Sequence, residues 1–212
     1  MRIEIRSISA LNAGAEISLA VMLSDGENSE KRSLVLLARQ FAALRPEKGE
    51  ISEEHFDTLS EAAEICAALK RGMNILGYGS CSKKNMRIKL RSKGFAADVA
   101  DSAAEYLEEL GYINEKNDAA REAERCVAKY WGRRRIAAAL YEKGYSESAV
   151  RGAVESLDGV DFEERCVTLI KKKFRYLPEE MNERKKLFAA LVRYGYTSSE
   201  IKNAIHTLEN GD

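Results

Sequence analysis

One short motif decides the fold because it occurs three times: Leu90-Arg-Ser-Lys-Gly94-Phe95, Leu140-Tyr-Glu-Lys-Gly144-Tyr145 and Leu191-Val-Arg-Tyr-Gly195-Tyr196. Each copy has a leucine four positions before the glycine and an aromatic residue directly after it, and the glycines are 50 and 51 residues apart. Glycine just past a helix adopts positive φ at little steric cost and ends the helix. A regular period over three copies predicts an internal helical repeat.

The match continues downstream of each glycine, at offsets of six, ten and thirteen residues. The matching apolar residues are Ala100, Val150 and Ile201, then Ala104, Val154 and Ile205, then Leu107, Leu157 and Leu208. These offsets lie on one face of a helix, so the columns predict a buried core that includes the aromatic residues Phe95, Tyr145 and Tyr196. Ser146 and the Thr197-Ser-Ser-Glu200 box are helix-start signals. An earlier helix in each unit, near 61–76, 117–130 and 162–176, completes three three-helix repeats.

The N-terminal part differs. Ile3, Ile5 and Ile8 lie in one β-like run, and a second run, 16–23, ends at the turn Ser24-Asp25-Gly26, which predicts an antiparallel hairpin. The spacing of apolar residues in 33–44 favours a helix that stops before Pro46. Ser52, followed by two glutamates, predicts a helix cap. The fold class is therefore mostly α, and the predicted domains are 1–59, 60–112 (repeat 1), 113–160 (repeat 2) and 161–212 (repeat 3).

Several function classes are excluded by composition. No window approaches about 18 uncharged apolar residues, so no membrane-spanning helix is predicted. The stretch Met1-Arg2-Ile3-Glu4-Ile5-Arg6 lacks the apolar block of a signal peptide, so the predicted location is the cytoplasm. The 34 Lys and Arg balance 34 Asp and Glu, so nucleic-acid binding cannot be predicted from total charge.

No catalytic motif is present: the sequence contains no GxxxxGK[ST], GxGxxG or GxSxG. His55 and His206, the two histidines, read as solvated surface residues. Four cysteines without a CxxC pair predict reduced, buried thiols rather than a zinc site. The sequence therefore predicts a protein without catalysis, cofactor or metal.

Charge is nevertheless segregated along the chain. Residues 65–97 contain no Asp or Glu and eight Lys or Arg. Two further clusters follow, and the second includes Arg175 with Phe174 and Tyr176 interleaved. Two interpretations of these basic clusters stay open. They form either an ordinary solvated surface, or a surface that docks an anionic partner such as a phosphate backbone or an acidic protein groove. The candidate contact residues are Lys83, Lys84, Arg87, Arg91, Arg133, Arg134, Arg135, Lys171, Lys172 and Lys173. Tyr130 and Trp131 read as hydrophobic anchors at a helix end.

The order of these elements resembles the RecX family of bacterial recombination regulators. The resemblance rests on the Leu-x-x-Lys-Gly-Phe motif, on Leu107-Glu-Glu-Leu-Gly-Tyr-Ile113, and on Tyr130-Trp-Gly-Arg-Arg-Arg-Ile136 with the second copy of the motif. It spans nearly the whole chain. At Gly79-Ser80-Cys81-Ser82 the chain departs from the Arg-x-Arg-Ser that relatives tend to carry.

The resemblance implies an elongated, curved helical-repeat protein, monomeric, that binds in the groove of the RecA recombinase filament on single-stranded DNA. It also implies modulation, usually inhibition, of the ATPase, strand-exchange and coprotease activities of RecA, in DNA repair, recombination and the SOS response. One alternative is a helical-repeat protein that binds single- or double-stranded DNA independently of RecA. A second is a scaffold for an unrelated protein.

Overall fold

The computed structural model describes residues 2–174 and 177–210, so the predicted contributions of Arg175 and Tyr176 lie outside the described residues. The chain forms two compact units. The first contains the chain up to Gly79 together with Met86–Ile113, and the second contains Ser80–Asn85 and the chain from Asn114 onward. The predicted boundaries between individual repeats stay predictions.

The first unit is built on an antiparallel sheet. Its strands are β1 (Arg2–Leu11), β2 (Glu16–Ser24), β3 (Ser29–Leu37) and β4 (Gly49–Ile51), in the order β3-β2-β1-β4. The predicted hairpin is confirmed as the β1–β2 pair and the sheet extends it on both sides. The alternating residues Ile3, Ile5 and Leu19 are buried on the face that packs against α2, because apolar residues two apart point to the same side of a strand.

The helix predicted over 33–44 is wrong in its first part. The chain continues as β3 to Leu37 and becomes helical only in α1 (Ala38–Leu44), which ends before Pro46 as expected. The apolar run Leu34 to Leu37 is compatible with the periodicity of a helix and with that of a strand. The run is a strand because its main chain pairs with β2 and because Leu36 is completely buried. A short apolar run takes the structure of the neighbour that it packs against.

A long helix, α2 (Glu53–Gly77), covers the sheet and begins at the predicted cap. The Ser52 hydroxyl accepts a hydrogen bond from the His55 N–H at 3.2 Å. The helix predicted to begin near residue 61 therefore begins at Glu53. Helix α3 (Lys83–Arg91) follows, and α4 (Ala97–Glu109) packs against α2 so closely that a Cβ on Gly72 would lie 2.5 Å from Leu107 Cδ1.

The second unit is entirely helical over its described residues. Its elements are α5 (Glu115–Ala128), α6 (Arg133–Glu142), α7 (Glu147–Glu155), α8 (Phe162–Leu169), a π-helical turn (Ile170–Phe174), α9 (Met181–Arg193) and α10 (Ser198–Asn210). The capping box is confirmed, since Thr197 N–H donates to the Glu200 carboxylate and Glu200 N–H donates to the Thr197 hydroxyl.

The triplicated motif ends three helices in the same way. The three glycines have φ of 95°, 77° and 95°, and the N–H of the aromatic residue after each donates to the carbonyl of the motif leucine. This is the hydrogen bond of the Schellman motif, which the sequence pattern predicts. Tyr145 and Tyr196 are buried as expected, whereas Phe95 is only half-buried.

Helices α6 and α9 meet end to end through their main chains. Gly132 N–H donates to the Tyr194 carbonyl at 2.8 Å, and Arg134 N–H donates to the Gly195 carbonyl at 3.2 Å. The first N–H groups of one helix thus satisfy the last carbonyls of another, both of which lack partners inside their own helices. The approach is so close that a Cβ on Gly132 would lie 2.4 Å from the Gly195 carbonyl oxygen.

Helix α5 carries a carboxylate, Glu122, that is buried against cations. Its oxygens lie 2.8 Å from Lys143 Nζ and 3.4 Å from an Arg125 nitrogen. Burial by itself would raise the pKa of Glu122. The hydrogen bond and charge of Lys143, followed by those of Arg125, outweigh it and hold the pKa below the ordinary value of 4.5.

We expect Glu122→Gln to lower the free energy of unfolding by about 1 kcal/mol at neutral pH, because the charge-assisted contact to Lys143 becomes neutral. A carboxyl with a lowered folded pKa contributes stability above its unfolded pKa and loses it as the pH falls through the folded value. Urea unfolding of both proteins from pH 7 down to pH about 3 measures this. A difference that is constant or grows on acidification would contradict the assignment.

All four cysteines, Cys66, Cys81, Cys126 and Cys166, are buried free thiols, as predicted. Burial raises the pKa of the Cys166 thiol to about 12, which leaves it unreactive. Over 2–174 and 177–210, His, Cys, Asp and Glu side chains do not form a group of three or more that could hold a metal ion. None of the helices in those ranges combines the length and apolar character that crossing a bilayer requires.

Candidate functional site

The candidate residues of α3 fall into both compact units. In the second unit, Lys83 is half-buried and Lys84 is exposed. Their segment is fixed by hydrogen bonds from the Ser82 hydroxyl (2.7 Å) and the Asn85 amide (2.8 Å) to the Lys143 carbonyl at the end of α6. The backbone N–H of Lys83 also donates to Glu115 at 2.9 Å.

The other two α3 candidates belong to the first unit. Arg87 lies 3.0 Å from Asp101 and 3.2 Å from Glu105, both on α4, so its charge is compensated within the unit. Arg91 is exposed, in the last turn of α3, where the helix dipole stabilises a cation. Arg87 is thus tied to its own fold, whereas Arg91 is available to solvent.

Arg133, the first of the α6 arginines, is also engaged internally. Its guanidinium lies 3.5 Å from Glu200 and 3.8 Å from Asp158, and its carbon CZ is 4.2 Å from the centroid of the Phe162 ring. The side chain is about one-third exposed. This arginine therefore joins α6 to α8 and α10 and offers little free charge.

Arg134 and Arg135 are placed differently. Arg134 is exposed, and its side chain has no carboxylate partner among the described residues. The guanidinium of Arg135 lies 4.1 Å from the centroid of the Trp131 ring and 5.3 Å from that of Tyr194. A cation against an aromatic face is stabilised by the ring quadrupole without being neutralised. Arg135 thus keeps its net charge.

The lysine triplet lies on the π-helical turn that follows α8, and all three side chains are exposed. Lys172 Nζ donates a hydrogen bond to the Tyr130 hydroxyl at 2.6 Å and lies 4.9 Å from that ring. Lys173 Nζ donates to the Tyr194 hydroxyl and lies 4.8 Å from its ring. Each phenol accepts from an ammonium group, so its own proton is free to donate to an anion.

The two basic clusters therefore meet at one shared ring, Tyr194, which lies beside both Arg135 and Lys173. We call this group the aromatic–cationic face, and it consists of Tyr130, Trp131, Arg135, Lys172, Lys173 and Tyr194. In the described part of the chain, none of its three cations has a carboxylate within ion-pair distance. The face thus presents uncompensated positive charge beside half-buried rings and polarised hydroxyls.

The basic residues destabilise the start of α6, because its first turn consists of Arg133, Arg134 and Arg135. The N-terminus of a helix carries partial positive charge, so cations there oppose the dipole by about 0.3–1 kcal/mol each at an exposed site. Ser, Asp or Glu would stabilise this turn better. Local rules of stability are most often violated at functional sites, which supports binding as the reason for Arg134 and Arg135.

Sequence reasoning found the cations and missed the rings. Tyr130 and Trp131 do pack against the core of the second unit, as predicted, but they also carry cations on their outer sides. Tyr194 was visible only as the residue before the motif glycine. The one available signal was the alternation of aromatic and basic residues in 129–135, since the pairing with Lys172 and Lys173 depends on tertiary structure.

Comparison with known proteins shows similarity to RecX proteins. The model of the RecX third three-helix domain matches residues 161–205. The regulatory protein RecX of Chlorobium phaeobacteroides (strain BS1) is 29% identical over 140 residues, covering 65% of this chain and 91% of the relative. That of Clostridioides difficile (strain 630) is 26% identical over 168 residues, covering 77% and 78%.

Solved structures agree on the fold. A regulatory protein RecX of known crystal structure superposes with a TM-score of 0.75 at 20% identity, covering 95% of this chain and 99% of its own. RecX from Lactobacillus salivarius gives a TM-score of 0.62 at 24% identity, covering 70% and 98%. The chain is therefore similar in sequence to regulatory proteins of the RecX family, and it shares the fold of the solved ones.

Proposed function

We propose that this protein is a non-enzymatic regulator that binds the RecA filament on single-stranded DNA and inhibits its ATPase, strand-exchange and coprotease activities. Similarity to regulatory proteins RecX supports RecA as the partner. The observation that carries the proposal is the convergence of Arg135, Lys172 and Lys173 on one face without carboxylate partners among the described residues. Such a face fits an anionic surface, as a filament groove or its DNA presents.

The mechanism that we propose is steric. A protein of helical repeats lies along the groove as a monomer, spans more than one RecA protomer, and opposes filament extension or protomer rearrangement.

The predicted contact residues fall into three groups according to their surroundings in the structure. We assign the main contact to Arg134 and the aromatic–cationic face with Lys171, and a supporting contact to Lys84 and Arg91, which are exposed. Lys83, Arg87 and Arg133 hold the protein's own fold together and contribute less.

RecA ATPase activity on single-stranded DNA tests the proposal. With purified protein titrated into preformed filaments, we expect the rate of ATP hydrolysis to fall as the protein approaches the protomer concentration. Strand exchange should fall in parallel, because both reactions need the same filament. Full activity at a several-fold excess over protomers would reject the proposal.

A second candidate function, DNA binding independent of RecA, is favoured by one feature. Arg135 stacked on Trp131 and lysines beside half-buried tyrosines are the combination that single-strand-binding grooves use. If about six phosphates were contacted, affinity for bare DNA would fall about 10³-fold or more between about 50 and 200 mM salt. Tight, salt-sensitive binding to bare DNA without preference for RecA-coated DNA would favour this candidate.

A further inference from the structure

A second basic site lies in the first unit, and none of the residues assigned to RecA lines it. It is an open cavity of about 380 Å³ between α2 and the turn after α3. Its lining residues are Ala67, Lys70, Arg71, Asn74, Lys93 and Phe95. From this cavity we infer a binding site for a phosphorylated nucleoside, with the phosphate held by the cations and the base against Phe95.

The α2 side of the cavity follows from helix geometry. Ala67, Lys70, Arg71 and Asn74 are spaced three, one and three apart, so they share one face over two turns. A small residue at the first position leaves the open volume above it. The helix positions three and four residues from Lys70 and Arg71 hold no Asp or Glu, so neither charge is compensated along α2 itself.

Among the described residues, one of the three cations has a carboxylate partner. Lys70 Nζ lies 2.6 Å from Glu16, a nearly buried carboxylate that also accepts from the Asn12 amide at 2.9 Å. Arg71 and Lys93 are exposed and have no carboxylate partner in the described part of the chain. The site thus combines one cation in a fixed position with two free ones, a net charge that complements a phosphate group.

Phe95 supplies the aromatic element, and its position is unusual for this protein. It occupies the place of Tyr145 and Tyr196 in the repeated motif, which are 7% and 0% exposed, whereas Phe95 is half-buried and its side lines the cavity. A half-exposed phenyl ring offers a face for base stacking, and the Asn74 amide can both donate to and accept from a base edge. A site that binds only an inorganic anion would need neither the aromatic ring nor the amide.

Binding to the purified protein without RecA tests this inference, so its failure is distinguishable from failure of the RecA proposal. The probes are inorganic phosphate, thymidine, thymidine monophosphate and a short oligothymidylate, measured by calorimetry. We expect the monophosphate to bind more tightly than either phosphate or thymidine alone. Tighter binding of the oligothymidylate than of the monophosphate would identify a nucleotide within a strand as the ligand, and equal binding would identify a free nucleotide.

Three variants locate the site. Arg71→Ala and Lys93→Ala should each weaken binding about tenfold or more, since each removes a charge-assisted contact. Phe95→Leu should weaken the monophosphate about tenfold and leave inorganic phosphate unchanged. Lys89→Ala, in the same acid-free stretch but outside the cavity, is the matched control. No binding of either nucleotide probe, or equal loss in the control, would overturn the inference.

Discussion

Replacing Gly195 by alanine is expected to lower the free energy of unfolding of the second unit by about 3 kcal/mol or more. Two costs add. The residue has φ of 95°, which strains any residue with a side chain, and its new Cβ would lie 2.4 Å from the Arg135 backbone nitrogen. Because that atom is main chain in the first turn of α6, the neighbour cannot move aside without breaking the α6–α9 junction. Thermal and urea unfolding measure the loss.

Gly152→Ala is the matched control for this prediction. Gly152 lies inside α7, and apart from its chain neighbours and the backbone of α7 itself, no atom of the described residues lies within 4 Å of the position that its Cβ would take. Alanine there should stabilise the protein by about 0.5–1 kcal/mol, because glycine in a helix interior loses more conformational entropy. Similar unfolding free energies for the two variants would mean that the main-chain junction does not constrain the unit.

The double charge reversal of Lys172→Glu with Lys173→Glu should raise the concentration needed to inhibit RecA ATPase by about 100-fold or more. Two cations that lie beside tyrosines become two anions facing an anionic partner, and like-charge contact costs several kcal/mol. Both side chains are exposed, so unfolding temperature should change little. The readouts are the inhibition curve and the melting curve of the same preparation.

Arg151→Glu controls for the change in net charge. Arg151 is exposed on α7 and belongs to neither the aromatic–cationic face nor the predicted contact set. Its reversal should shift the inhibition curve only slightly, and less at higher salt because the effect is a long-range one. Shifts in proportion to the change in net charge, two units for Arg151→Glu and four for the double reversal, would assign the effect to total charge and reject the face as the contact.

The helix ends and caps of this protein could be predicted from local sequence signals. The helix ends at Gly94, Gly144 and Gly195, the cap at Ser52 and the Thr197–Glu200 box all depend on neighbours within five residues, and the structure confirms each. Such features are decided by backbone geometry that a single glycine or hydroxyl supplies. The apolar columns are confirmed in part: most of their residues are buried, whereas Phe95, Val154, Ile205 and Leu208 are half-buried.

What failed depends on contacts between distant parts of the chain. The stretch 33–37 is a strand because β2 lies beside it, and its own apolar spacing does not say so. The aromatic–cationic face is assembled from residues about 40 and 20 positions apart, such as Lys172 with Tyr130 and Lys173 with Tyr194. Arg133 and Arg135 belong to the same basic cluster, yet their charges end in different surroundings. Arg133 is paired with Glu200, whereas Arg135 lies against the Trp131 ring and keeps its net charge.

The end-to-end junction of α6 with α9 is held by peptide groups rather than by side chains. Apart from its two glycines, it therefore places almost no demand on residue identity. Mutations at the neighbouring arginines can accumulate over generations without disturbing the angle between these helices. If the proposed function holds, the affinity for the partner can evolve through these side chains while the angle between the two helices is inherited unchanged.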